Sequence, residues 1–235
     1  MIGIIVGIDD LPSQWAFQVI EQFKDRVYAF KIHASLVRDG AQLIRILKTA
    51  GAKRVMVDRN VVDIPKIAAE EIKLWADFGA DIITVFAAGG LEMMAAARKA
   101  SEDIQIWAST VLTSQTDNEV EFNHRRPARE VVYNFACLAK IAGLDGIVSS
   151  AQDAADVVKD PSLNSIKISI PGIRAANEPA RDQNRITSIA EAVEIGAANI
   201  IVASRIALAP DPLAAFEALE QEIHAAQKEK TAATS

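Results

Sequence analysis

Two aspartates five positions apart, Asp58 and Asp63, lie in the run Val57-Asp58-Arg59-Asn60-Val61-Val62-Asp63-Ile64-Pro65, where an apolar stretch gives way to a helix start. Carboxylates held a few ångströms apart resist joint ionisation unless cations are interleaved with them. Lys31, in Phe30-Lys31-Ile32, offers such a cation, and Asp9 ends an earlier apolar run, Ile5-Val6-Gly7-Ile8-Asp9. His33 follows Lys31 by two positions, so both side chains can share one side of a strand. Farther along stand Pro171-Gly172-Ile173-Arg174, Asp182-Gln183-Asn184-Arg185 and Ser204-Arg205, and an arginine fork suits a phosphate group. An ion-pair network and an anion site are the chemistry these residues offer. Simpler roles also fit some of them: Asp63 precedes Ile64-Pro65 as a helix cap does, and Arg174 and Arg185 fit as solvated charges.

These residues need a scaffold that brings distant segments to one place. Short β-branched apolar runs recur at 2–8, 27–32, 54–58, 82–86, 104–110, 146–149, 166–170 and 199–204, which predicts eight strands. Runs apolar on both faces suit parallel strands covered by helices. Helical spacing fills the gaps at 14–23, 41–49, 67–78 and 128–142. Gly51, Gly79, Gly143 and Gly196 each fall between a helix and the next strand, where a left-handed residue ends the helix. The pattern predicts a single α/β domain, an eight-stranded (β/α) TIM barrel over 1–226, with a frayed tail over 227–235. Polar residues follow nearly every strand, at the end where such barrels do chemistry.

The chain of 235 residues has a formal net charge of −6 and no long basic run, which argues against nucleic acid or an anionic membrane as partner. No apolar stretch approaches the roughly 20 residues of a membrane helix. The apolar amino terminus reads as a buried strand rather than a leader, so a cytoplasmic protein is expected. Cys137 is the one cysteine, which excludes an intrachain disulfide and leaves no zinc cluster. It is expected to be buried.

The run from Asp58 to Pro65, with Asp9, Lys31 and the two arginine-bearing loops, resembles the orotidine 5'-phosphate decarboxylase family, whose signature is Asp-x-Lys-x-x-Asp-Ile-Pro. The resemblance covers nearly the whole chain. It implies a homodimeric phosphate-binding barrel that takes a pyrimidine nucleoside monophosphate and decarboxylates orotidine 5'-phosphate to uridine 5'-phosphate without a cofactor or metal. Lys31, Asp58, Asn60 and Asp63 occupy the catalytic positions, and Asp9 the ribose position. Asp63 and Ile64 would enter the partner's site. Thr110 and Thr113, in Thr110-Val111-Leu112-Thr113-Ser114, would read the pyrimidine, while Pro171, Gln183, Ser204 and Arg205 would hold the phosphate, with Gln183 and Arg205 as grippers. The segment 115–127 is expected to be a mobile lid, with His124 a loop histidine.

Three departures stand out. Asn60 replaces the lysine that protonates the carbanion left when carbon dioxide departs, Phe86 stands where the family commonly has histidine, and Ser204 where it has glycine. Three functions follow: an atypical orotidine 5'-phosphate decarboxylase using Lys31 or His33, a member turned to another nucleotide or sugar phosphate, or a nucleotide-binding homologue without catalysis. Sister families acting on sugar phosphates keep the motif lysine and use Mg²⁺, so they match poorly.

Overall fold

Apolar runs of three to seven residues build eight parallel strands: β1 Gly3–Gly7, β2 Ala29–Ile32, β3 Val55–Val61, β4 Ile82–Phe86, β5 Gln105–Ser109, β6 Gly146–Val148, β7 Lys167–Ile170 and β8 Asn199–Val202. The computed structural model describes residues 2–9, 13–174 and 184–233. The strands hydrogen-bond in chain order, and β8 closes on β1, so no sheet edge remains among them. This is the TIM barrel expected from the alternation. Helices Ser13–Phe23, Gln42–Thr49, Pro65–Asp77, Gly90–Ala100 and Ala128–Ile141 pack outside, and the largest apolar cluster fills the layer between them and the strands. Phe23 and Phe216 stack there at 4.3 Å between ring centres.

The barrel interior is set by the two-residue alternation of strands. Ile5, Ala29, Met56, Ile82, Trp107 and Ile201 form a separate buried cluster, contacted by Tyr28 and Val148. Two residues onward on each strand, the same inward parity gives Gly7, Lys31, Asp58, Thr84, Ser109 and Ala203. A plug of apolar side chains therefore floors the barrel, and the next layer is polar. Gly7 is required in that layer, since a Cβ there would come within 2.8 Å of the Ala203 Cβ and 3.4 Å of the Lys31 side chain.

One strand departs from regular pairing. Between Val57 and Val61 the register of β3 against β4 shifts, because four steps along β3 match two along β4, from Ile83 to Val85. Asn60 lies in this irregularity at φ 50°, a left-handed conformation that asparagine tolerates better than most residues.

The carboxyl-terminal helix corrects one expectation. Residues 227–233 do not fray but continue the helix Pro212–Ala233, where the Lys230 ammonium donates to the carbonyls of Val193 and Glu194 at 2.9 Å each. Cys137 is half-buried rather than buried. No described helix is long and apolar enough to cross a membrane.

Candidate active site

At the carboxyl ends of the strands Lys31, Asp58, Asn60, Ser109, Thr113, Pro171, Gly172, Arg174 and Ser204 are among the residues around a cavity of about 260 Å³. A larger groove, about 730 Å³, lies on the flank beside the helix Pro212–Ala233 and gathers none of these residues.

Lys31 is the centre of the network. Its Nζ lies 3.6 Å from Asp9 Oδ2 and 3.2 Å from Asp58 Oδ2, and all three side chains are largely buried. The other oxygen of Asp9 accepts from the Ser35 amide at 3.0 Å, the Ser35 hydroxyl at 2.8 Å and the His33 amide at 2.7 Å. Burial pushes the Asp9 carboxyl up, but the Lys31 charge and these hydrogen bonds outweigh it and hold the group below the usual carboxylate range. His33 is exposed, and its Nδ1 hydrogen-bonds the Asp58 carbonyl, so it ties the end of β2 to the irregular part of β3.

The irregularity of β3 organises a second chain of hydrogen bonds. The Asn60 amide N–H donates to Thr84 Oγ1 at 2.9 Å, and the Thr84 hydroxyl donates to Asp58 Oδ1 at 3.0 Å. Ser109, from β5, donates its hydroxyl to Asn60 Oδ1. Asn60 is thus pinned at both its backbone and its carboxamide oxygen. Thr84 and Ser109 carry no motif signal; only their parity with Ile82 and Trp107 could have placed them in the polar layer.

Across the cavity, Gly172 adopts φ 71°, and the turn after β7 is braced by Arg174 N–H to Thr187 O at 3.1 Å and Thr187 N–H to Gly172 O at 3.2 Å. Arg174 is buried and bonds the Ile173 carbonyl. Ser204 lines the cavity at the start of the short helix Ser204–Ala207. Arg205 is not among the lining residues; its guanidinium pairs with Glu222 at 2.5 Å on the last helix. Gln183 lies outside the described residues. Thr110 is buried and donates to the Val148 carbonyl at 2.9 Å instead of lining the cavity.

Asp63 and Ile64 also lie apart from the cavity of this chain. Both are exposed, beside exposed Val62 and Ile67. Ile64, not Asp63, is the cap residue of Pro65–Asp77, and Asp63 accepts from the Ile64 N–H at 2.6 Å. The segment expected as a mobile lid contains the helix Asp117–His124, closed at its start by reciprocal hydrogen bonds between Thr116 and Glu119 and anchored by buried Val120. Arg185 is not a solvated charge: it is buried, bonds Asp153 at 2.7 Å, and clasps the Gln115 carbonyl and Asp117. Phe86 is half-buried at the end of β4.

Comparison with known proteins agrees with the barrel fold. The profile of the Orotidine 5'-phosphate decarboxylase / HUMPS family matches residues 3–219. Orotidine 5'-phosphate decarboxylase of Staphylococcus saprophyticus is 32% identical over 224 residues, 92% of this chain and 96% of that protein. The enzyme of the same name from Alkalilimnicola ehrlichii is 36% identical over 232 residues, 96% and 97% of the two chains. Among solved structures, orotidine 5'-phosphate decarboxylase from Lactobacillus acidophilus superposes with a TM-score of 0.79 at 27% identity, covering 95% of this chain and 99% of that one. The Methanocaldococcus jannaschii enzyme, solved with the inhibitor BMP, has a TM-score of 0.76 at 18% identity over 95% and 99%, a likeness of fold. With its barrel, its Asp9–Lys31–Asp58 network and a match over nearly its full length, the chain belongs to the orotidine 5'-phosphate decarboxylase / HUMPS family.

Proposed function

We propose that the barrel mouth binds a pyrimidine nucleoside 5'-monophosphate and that its reaction is the decarboxylation of orotidine 5'-phosphate to uridine 5'-phosphate, run slowly. The observation that carries this reading is the Lys31 ammonium set between Asp9 and Asp58 at the cavity. In the reaction the bond from C6 to the carboxylate breaks, carbon dioxide leaves, and the electron pair at C6 takes a proton. Lys31 is the one ammonium among the described residues lining the cavity, so it is the proton source available there. Absence of a cation at position 60 removes both a general acid and a stabilising charge, and loss of general acid catalysis alone costs about 10² to 10⁴ in rate.

Asp9 and Lys31 are assigned to the ribose, and Thr113 to the pyrimidine. The phosphate is assigned to the turn Pro171-Gly172-Ile173-Arg174 and to Ser204 and Arg205, with Gln183 carried over from the family resemblance. Loops after the seventh and eighth strands form the usual phosphate cup of such barrels. Asp63 and Ile64 are assigned to the site of a second copy, since they lie exposed with Val62 and Ile67. The reading includes a homodimer in the cytoplasm, and sedimentation showing only monomer at micromolar concentration with nucleotide present would remove the shared-site assignment.

One observation favours a second reading, binding without turnover: Asn60 is held by Thr84 and Ser109 as a fixed neutral group. Calorimetry and turnover separate the two. Uridine 5'-phosphate should bind in both; decay of orotidine 5'-phosphate absorbance above the uncatalysed rate, lost in Lys31→Ala, is expected only in the first. No binding at millimolar nucleotide would overturn both.

A further inference from the structure

The charges around Lys31 do not balance. Two carboxylates, Asp9 and Asp58, share one ammonium, that of Lys31. The next polar residue, Asn60, is neutral and cannot turn freely, because its N–H is committed to Thr84 and its carboxamide oxygen to Ser109. What Asn60 has left for a ligand is the amide nitrogen, an uncharged donor. Among the described lining residues the other cation is Arg174, on the β7 side of the mouth. The described groups thus form a polarised cavity, with a net formal charge of −1 around Lys31 and a positive group at the phosphate turn.

A ligand carboxylate placed beside Asp58 meets like charge with no second cation to offset it, in a partly buried site where such repulsion is screened less than in water. Uridine 5'-phosphate, with a hydrogen in place of that carboxylate, avoids the repulsion. Resting on the nucleotide reading above, we propose that this cavity selects nucleoside 5'-monophosphates with an uncharged base, uridine 5'-phosphate being the type, and disfavours orotidine 5'-phosphate. Asn60 is the specificity-determining residue: it is neutral where a second cation would offset Asp58. The cavity is matched in charge to the product of the family reaction rather than to its substrate.

The experiment compares uridine 5'-phosphate and orotidine 5'-phosphate by calorimetry on the wild-type chain, the two ligands differing only in the carboxylate. Uridine 5'-phosphate is expected to bind about tenfold more tightly or better. Equal or tighter binding of orotidine 5'-phosphate overturns the proposal and leaves the nucleotide reading standing, whereas no binding of either overturns both. Asn60→Lys, which restores charge balance, should shrink or reverse the ratio; an unchanged ratio in the folded variant removes Asn60 from the explanation. Asn60→Asp adds a measurement that does not depend on the lysine being accommodated. It places a further carboxylate beside Asp58 and should widen the preference for uridine 5'-phosphate, and an unaltered preference in the folded variant would overturn the charge argument.

Discussion

Asn60→Lys sets two effects of known size against each other. A lysine at φ 50° costs about 1–2 kcal/mol that asparagine largely avoids, and the hydrogen bond from Ser109 is lost for about another 1 kcal/mol. Ser109 lines the cavity, so its hydroxyl can turn to water and is not stranded. The expected loss of stability is therefore about 2–3 kcal/mol, which a typical domain stability of about 5–15 kcal/mol survives. The gain falls on the barrier: a proton donor contributes about 10² to 10⁴ in rate, roughly 2.7–5.4 kcal/mol. Orotidine 5'-phosphate turnover should rise by at least about a hundredfold while the denaturation midpoint falls. The assay is loss of orotidine 5'-phosphate absorbance in wild type, Asn60→Lys and Lys31→Ala, with denaturant melts of each. A folded Asn60→Lys variant that turns over no faster would refute the reasoning, as would wild-type turnover equal to that of ordinary relatives and abolished by Lys31→Ala.

Other predictions concern the anion site, the loops and acid stability. Arg174→Ala should weaken uridine 5'-phosphate binding about tenfold or more by calorimetry, since it removes a charged phosphate partner, and leave uridine binding unchanged. Arg185→Met should destabilise the fold by about 3–5 kcal/mol in denaturant titration, because it strands buried Asp153 without its ion partner. The Asp9 carboxyl is held below its ordinary value of 3.8, so its contribution to stability is full above that pH and is lost as pH falls through the lower folded value. Acid titration of stability should show this loss below about pH 4, with a shallower acid limb in Asp9→Asn.

The barrel was legible because burial on both strand faces leaves continuous apolar runs, and every predicted run overlaps a strand. Lys31, Asp58 and Asn60 were legible as a constellation because strand parity and the motif both place them. The conformation of Asn60 was not: a register shift between β3 and β4 is a property of two strands, and its cause is not local. Arg185 and Arg205 have ion partners that no local signal marks, for a related reason. Their partners, Asp153, Asp117 and Glu222, lie 17 to 68 positions away, and nothing in the neighbouring residues announces them. The tail was read as frayed from its polar composition, whereas over 227–233 it is helical and Lys230 bonds the helix Ile189–Glu194.

The clasp built by Arg185 has a kinetic consequence. The Asn184 and Arg185 amides both donate to the Thr113 carbonyl, the Asn184 side chain to that of Ser114, and the Arg185 side chain reaches Gln115, Asp117 and Asp153. Residues after β5, β6 and β7 are thereby fastened into one wall of the mouth. Such a wall opens by breaking several bonds together, so its hydrogen-exchange protection should rise and fall as a unit rather than loop by loop.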